Sequence, residues 1–286
     1  MNREPMNKAP KGRAAAFAIA PALALALACA PLAAGRAAAD VVRARYAVSL
    51  VGIRIGDAAA VGALGPDKYR IDFTARLTGV AAMVADVKMA LSSTGAMQQG
   101  ALSPSTYATT SASSQETRTV RMAMQGGAVK AVSIVPPWTD LEGRVPVTDA
   151  HKRGVLDPTS AFIMPVPAGQ PLVGPAACNR RIPVFDGFVR FDLTLSYVGT
   201  RAAELPGYSG PVSVCAVRYA PIAGHKLQSR SARFMAQNRD IEVWLAPVER
   251  AHVVVPVRVA LATLAGAALI EAVEFSVDPG DPARAH

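Results

Sequence analysis

YRIDFTARL, residues 69–77, is the stretch that decides the fold class of this chain. Apolar side chains occupy every second position, and Arg70, Asp72, Thr74 and Arg76 lie between them. Successive side chains of a β-strand point to opposite faces of the sheet, so this period of two predicts a strand with one buried and one hydrated face. Antiparallel sheets with one face in water show this alternation.

The same alternation recurs in residues 42–50 and 191–197. Turn residues separate such stretches, and Asp186-Gly187 is a strong hairpin signal because both central residues of a type I′ turn need positive φ. Helix signals are few: Asp157-Pro158 precedes a short turn at 160–164, and a second short helix fits within 226–238. We predict an all-β fold with one or two short helices, built as a large curved antiparallel sheet that forms a half-open barrel.

The first 39 residues carry the pattern of an export signal. Several basic residues precede an apolar run over residues 14–30, and Ala37-Ala38-Ala39 offers a small-residue cleavage site before Asp40. This order predicts a signal peptide over residues 1–39 and a periplasmic location, which is an oxidising compartment. The mature chain is expected to form a single β-rich domain over residues 40–278, with a flexible tail over residues 279–286.

Charge and hydropathy exclude several classes of partner. The chain has 286 residues and a formal net charge of +9, but part of that excess lies in the leader and no basic run remains after it. Nucleic acid is therefore not an expected partner. No transmembrane segment is expected after signal cleavage, since the apolar run 260–270 is too short to span a bilayer and Gly266 indicates a turn within it.

Two cysteines remain after the leader, Cys178 and Cys215, so one intramolecular pairing is possible. An oxidising compartment favours a disulfide between them. Two buried free thiols or a redox pair are the alternatives, although the C-x-x-C spacing of redox motifs is absent.

Residue types that carry catalysis occur without a recognised spacing. No histidine lies in a metal-binding motif and there is no glycine-rich phosphate loop, so we expect no metal site, no cofactor and no assigned catalytic residue. Asp157, Asp186, Arg190 and His225 form a candidate polar cluster, which a hydrolase would use. A helix cap at Asp157 and a turn at Asp186 are competing structural explanations.

The inner face of the predicted sheet is the other candidate site. Tyr46, Phe73, Phe191 and Tyr197 are the candidate ligand-lining side chains. A curved sheet lined in this way either fills its own interior or leaves a groove for an apolar ligand. The sequence leaves both alternatives open.

A series of short motifs covers nearly the whole predicted domain. In order they are Tyr46, Gly52 with Ile55-Gly56, Tyr69, Thr78-Gly79, Ser93 with Gly95, Pro104 with Tyr107, Asp157-Pro158-Thr159-Ser160, Phe185-Asp186-Gly187, Arg190-Phe191-Asp192-Leu193, Cys215, and Pro221-Ile222-Ala223-Gly224-His225. This order resembles the DUF3108 family of uncharacterised bacterial envelope proteins. The resemblance implies a secreted or periplasmic Gram-negative protein whose shape is similar to the half-open barrels that carry lipoproteins or lipids, a likeness of fold alone. It brings no catalytic residue to this chain.

These observations lead to one preferred function and two alternatives. The preferred one is a non-enzymatic periplasmic protein whose curved sheet binds a lipid or a lipoprotein acyl chain. The first alternative is an envelope-assembly or protein-interaction module with a filled core, which recognises an envelope protein partner through exposed loops at 136–151 and 164–175. A hydrolase is the second alternative. An open interior of the sheet would favour ligand binding, and a filled interior would favour the interaction module.

Overall fold

The computed structural model of the protein describes residues 39–98 and 100–280. The predicted signal peptide up to residue 38 and the last six residues of the predicted tail lie outside the described residues. Within those ranges the chain forms fourteen strands: β1 Asp40–Leu50, β2 Ile53–Leu64, β3 Lys68–Leu77, β4 Lys88–Gln98, β5 Ala101–Ala112, β6 Thr117–Gln125, β7 Ala128–Val135, β8 Met164–Pro165, β9 Arg180–Phe185, β10 Arg190–Leu205, β11 Tyr208–Ala223, β12 Ile241–Val248, β13 Val253–Thr263 and β14 Gly266–Asp278.

The strands form one antiparallel sheet, which confirms the predicted all-β fold. Thirteen strands follow the order β7-β6-β5-β4-β3-β2-β1-β14-β13-β12-β11-β10-β9, and β8 pairs with β13. Residues 69–77 lie in β3, where Tyr69 and Ile71 are buried while Arg70 and Arg76 are exposed. The alternation in the sequence therefore separates interior from solvent as expected.

Short helices occupy some of the connections. They are α1 Gly79–Val84, α2 Pro175–Cys178 and α3 Arg230–Gln237, with single 3₁₀ turns at Asp149–Lys152 and Ser160–Phe162. The described residues thus contain three α-helices where one or two were expected. The helix predicted within 226–238 is α3, and the cap signal at Asp157 precedes only the 3₁₀ turn Ser160–Phe162.

The proline-rich stretch 164–175 was expected to be an exposed loop, and the structure corrects this expectation in part. Val166 and Leu172 are buried in the core, and Pro175 begins α2. Proline fits the first turn of a helix because its missing N–H would have no partner there. The prolines of residues 164–175 correctly predict an interruption between long strands. Contacts with the rest of the fold determine that part of this stretch is buried.

The two edge strands of the sheet, β7 and β9, share one neighbouring segment. Ala128 in β7 bridges to Arg153, and Leu156 forms a parallel bridge to Val184 in β9. The sheet therefore curves until its ends meet residues 153–156, which gives the predicted half-open barrel. Because neighbouring strands are antiparallel, the β1–β2, β5–β6, β9–β10 and β13–β14 turns lie at one end of this barrel, called the open end below.

Residues 155–166, called the interior segment below, pass inside the curved sheet. Its buried members are Val155, Asp157, Thr159, Ser160, Ile163, Met164 and Val166. Ile163 packs into a cluster to which β1–β4 and β10–β14 contribute, and Met164 pairs with Val254 in β13. The interior segment fills much of the space that the sheet encloses.

A disulfide links α2 to the sheet. Cys178 and Cys215 are fully buried, their Cα atoms lie 5.5 Å apart, and their sulfur atoms are bonded. Aliphatic side chains from β9 to β13 surround the bridge. Among the described residues, none of the helices has both the length and the apolar character needed to cross a bilayer.

Candidate functional site

A network of buried polar groups anchors the interior segment to β3 and β4. The Asp157 carboxylate accepts hydrogen bonds from the Ser93 hydroxyl at 2.9 Å and from the Ser160 hydroxyl at 2.5 Å. The backbone N–H groups of Thr159 and Ser160 donate to its other oxygen at 3.0 and 2.9 Å. The Tyr69 hydroxyl hydrogen-bonds the Ser160 hydroxyl at 2.7 Å.

The hydrogen-bonded network around Asp157 is buried, which indicates a structural role. Burial raises the pKa of the Asp157 carboxyl, while its hydrogen bonds act in the opposite direction. Burial also raises the pKa of the Tyr69 hydroxyl. Asp157 and Ser160 are fully buried and their polar groups bond one another, so a substrate has no path to them. We interpret the network as the anchor that fixes the interior segment.

A small apolar cavity remains beside the interior segment. Its volume is about 100 Å³, and Tyr46, Phe73 and Phe162 contribute to its lining. The rings of Phe73 and Phe162 stack with centroids 5.6 Å apart. Sites for small molecules commonly measure about 300–1,000 Å³. The cavity is therefore too small to enclose a lipid chain.

A larger groove lies at the open end, between the inner face of β4–β6 and the β9–β10 turn. Its volume is about 650 Å³. Its apolar lining comprises Met89, Leu91, Val120, Trp138, Phe188 and Phe191. Leu91 is the cross-strand neighbour of Phe73, so the groove continues the inner face on which the small cavity lies. This groove has the volume and the apolar lining of a small-molecule site.

An alternating stack of arginine and aromatic side chains forms one wall of the groove. The Arg118 guanidinium lies 3.6 Å from the centroid of the Trp138 ring. The Trp138 and Phe188 ring centroids are 5.1 Å apart, and the Arg144 guanidinium lies 4.8 Å from the Phe188 centroid. Arg118 also forms an ion pair with Glu116. Cation–π attraction therefore fixes a charged group at the mouth of an apolar groove.

The four candidate ligand-lining residues lie in three different places. Tyr46 and Phe73 line the small cavity, and Phe191 lines the groove, where its ring packs against Tyr219 at 5.3 Å. Tyr197 packs beside the disulfide cluster, and its hydroxyl bonds the Thr200 hydroxyl at 2.8 Å. The structure thus does not gather all four around one ligand.

Two members of the candidate polar cluster lie near each other. Asp157 and Asp186 are both close enough to Tyr107 to raise the pKa of its hydroxyl, after the larger effect of burial. The Asp186 carboxylate accepts the N–H groups of Phe188 and Val189 and so closes the β9–β10 hairpin. The connection spans residues 186–189, and Gly187 has positive φ whereas Asp186 does not, so it is not the two-residue type I′ turn that the sequence predicts. Burial raises the pKa of the Asp186 carboxyl, and its hydrogen bonds oppose the shift.

The other two members of that cluster have different partners. Arg190 is buried and pairs with Asp192 at 2.6 Å. The backbone carbonyl of His225 accepts the Val145 N–H at 3.0 Å, which ties the connection after β11 to the loop after β7. The four residues of the candidate cluster therefore do not assemble into one catalytic arrangement. Within residues 39–98 and 100–280, no three His, Cys, Asp or Glu side chains are grouped closely enough to hold a metal ion.

Sequence reasoning missed most of the groove. Arg118 and Val120 are two residues apart in β6, so the period of two predicts that both lie on the same face of the sheet, which is the inner one. The meeting of Trp138 with Phe188 depends on how the barrel closes, since 49 intervening residues include the interior segment. No local signal predicts that contact.

Comparison with known proteins identifies the family. The model of DUF3108, described as a protein of unknown function, matches residues 45–273. The chain belongs to the DUF3108 family. None of the curated proteins compared with this DUF3108 protein matches it. Among solved structures, it is similar to a β-barrel-like protein of the domain of unknown function DUF1849 from Brucella abortus. That match has a TM-score of 0.43 and 10% identity, and covers 85% of this chain and 99% of the other.

Proposed function

We propose that this DUF3108 protein is an exported, non-enzymatic protein that binds an amphiphile, such as a fatty acid or a lipid acyl chain, in the groove at the open end. The observation that carries the proposal is the groove itself. It has a volume of about 650 Å³ and an apolar lining inside the curved sheet, while the interior segment occupies the space deeper in the barrel.

The groove offers separate surfaces for the two parts of an amphiphile. Leu91, Val120 and Phe191 provide an apolar floor for a hydrocarbon chain. Arg118 lies at the mouth beside the β5–β6 turn, where it can contact a polar head. Burying a chain removes apolar surface from water, which stabilises the complex by about 25 cal/mol per Å². A polar group at the mouth fixes which end of the ligand enters.

Tryptophan fluorescence tests this proposal directly, because Trp138 is part of the groove wall. The second tryptophan, Trp244, lies on β12, and its indole N–H donates to Glu242. In a Trp244→Phe variant, bromine-labelled stearate should quench the fluorescence strongly, whereas unlabelled stearate should not. In a Trp138→Phe variant the same label should quench weakly. Equal quenching of the two tryptophans, or none, would remove the groove as the site.

A pair of matched variants links the quenching to the groove mouth. Met89→Asp places a negative charge there, which repels the stearate carboxylate, and should weaken stearate binding by about tenfold. Val61→Asp is the control, because Val61 is a similarly exposed strand residue that does not line the groove. The affinity of this control variant for stearate should match that of the parent protein. Equal losses in both variants would point to non-specific adsorption.

The export part of the proposal has its own support and test. The basic and apolar leader and the disulfide between Cys178 and Cys215 both suit an oxidising compartment. The protein recovered from a Gram-negative periplasm should begin at Asp40. Recovery of the full chain from the cytosol would contradict export.

A second candidate function is an interaction module for an envelope protein. The interior segment, which occupies the space deeper in the barrel, favours it, together with the loop after β7, where the Leu141 side chain is exposed. A Leu141→Asp variant should then lose a partner that the parent protein crosslinks in cells. An unchanged crosslinking pattern counts against this candidate.

A further inference from the structure

Four connections lie side by side at the open end and form a continuous edge, called the rim below. The Val51 N–H in the β1–β2 turn donates to Ala267 at the start of β14, at 2.7 Å. The Thr78 N–H before α1 donates to the Ile55 carbonyl of β2 at 2.9 Å. On the other side, the Asn238 side chain after α3 donates to the Ala262 carbonyl of β13 at 2.9 Å. The rim therefore runs in the order α3, β13–β14 turn, β1–β2 turn, α1.

Large apolar side chains project into solvent along this rim. Val51 lies in the β1–β2 turn, Ile53 begins β2, Leu264 lies in the β13–β14 turn, and Met83 lies in α1. Their exposed fractions are 63%, 62%, 56% and 86%. Turns usually carry polar residues at such positions, and groups of exposed apolar side chains mark interaction surfaces. Each of these four side chains leaves more than half of its surface in water.

Cationic side chains accompany the apolar ones. Arg230 and Arg233 are exposed on α3, and within the described ranges no carboxylate lies within 4.0 Å of either guanidinium. Arg54, Arg76 and Lys88 lie near the α1 connection, and among the residues that the structure describes only two carboxylates, those of Asp57 and Asp86, pair with these three cations. The rim thus combines exposed aliphatic tips with an excess of positive charge.

We propose that the rim docks on the surface of an anionic lipid bilayer. The aliphatic tips enter the boundary between headgroups and acyl chains, and the arginines contact the phosphate groups. Surface binding of this kind grows with the apolar area that is buried and with the attraction between cations and anionic lipids. The positive charge of the rim is complementary to the negative charge of anionic lipids. Its apolar side chains stand apart from one another, so each can insert separately between the headgroups of a fluid bilayer.

The position of the rim connects docking with the groove. Both lie at the open end, so a docked protein holds the groove mouth close to the membrane surface. An acyl chain could then pass between bilayer and groove without crossing bulk water. Docking does not depend on the groove being occupied, and the two proposals fail separately.

Vesicle sedimentation with the mature chain tests the docking. The parent protein should pellet with vesicles of phosphatidylglycerol and phosphatidylethanolamine and only weakly with phosphatidylcholine vesicles. A Val51→Asp/Leu264→Asp variant should bind roughly tenfold more weakly or worse. Val198→Asp is the matched control, because Val198 is equally exposed, at 61%, in the middle of β10. It should bind like the parent protein.

The charge component has a separate variant. Each of Arg230→Gln and Arg233→Gln should weaken binding to anionic vesicles by about fivefold and leave binding to neutral vesicles unchanged. A folded parent protein that stays in the supernatant with anionic vesicles overturns the proposal. So does a loss in Val198→Asp as large as that in the rim variant. Vesicle binding without quenching of Trp138 would retain the docking and remove the groove.

Discussion

Removal of the Asp157 carboxylate should destabilise the barrel more than removal of any single exposed charge. In an Asp157→Ala variant, the buried N–H groups of Thr159 and Ser160 lose their acceptor, and two hydroxyls lose one bond each. An orphaned buried donor costs about 1–3 kcal/mol. Loss of the buried charge offsets part of this cost. We expect the free energy of unfolding to fall by about 2–4 kcal/mol.

Urea denaturation of the oxidised protein, followed by circular dichroism, measures this change. Asp157→Asn keeps an oxygen for both N–H groups and should lose only about 1 kcal/mol. Asp149→Ala is the control, because the Asp149 side chain is 86% exposed in its ion pair with Lys152, and it should change the free energy of unfolding by less than about 0.5 kcal/mol. An Asp157→Ala protein as stable as the Asp149→Ala protein would refute the role of the anchor.

Three further predictions concern the disulfide, a glycine turn and the Asp186 carboxyl. Replacing Cys178 and Cys215 by alanine together opens a loop with a sequence separation of 37 and should lower the free energy of unfolding by about 4 kcal/mol in urea. Gly207→Ala should cost more than about 2 kcal/mol, because a Cβ there would lie 2.3 Å from the Phe275 carbonyl oxygen, whereas Gly143→Ala, also at positive φ but in open space, should cost about 1 kcal/mol. Burial raises the pKa of the Asp186 carboxyl above its ordinary value of 3.8. The protonated carboxyl therefore stabilises the folded state below pH 3.8, and this stabilisation is lost as the pH rises through the pKa that Asp186 has in the folded protein. Thermal unfolding measured across this pH range should show a smaller change in stability for Asp186→Asn than for the parent protein.

The sequence predicted the parts of the fold that depend on local pattern. The alternation in residues 69–77 is reproduced in β3, and Asp186 closes the β9–β10 turn by accepting two N–H groups. Gly266 predicts a turn, and it begins β14 directly after the β13–β14 turn. Each of these features depends only on neighbouring residues, through their backbone preferences and the direction of their side chains.

The features that the sequence did not predict depend on contacts between distant segments. The sequence predicts Asp157 as a helix cap, and its carboxylate does accept local N–H groups. It is also fully buried and accepts a hydrogen bond from the Ser93 hydroxyl of β4, 64 residues earlier. The groove likewise arises where Trp138 and Phe188 meet after the barrel has closed. Such contacts follow from the curvature of the whole sheet, which no local pattern encodes.

Hydrogen–deuterium exchange in the presence and absence of stearate tests most directly where the ligand binds. The groove account predicts slower exchange in β5 and β6, whose inner faces line the groove, and unchanged exchange in the interior segment 155–166. Faster exchange in the interior segment, with no change in β5 and β6, would show that the ligand displaces that segment from the barrel and would contradict the account.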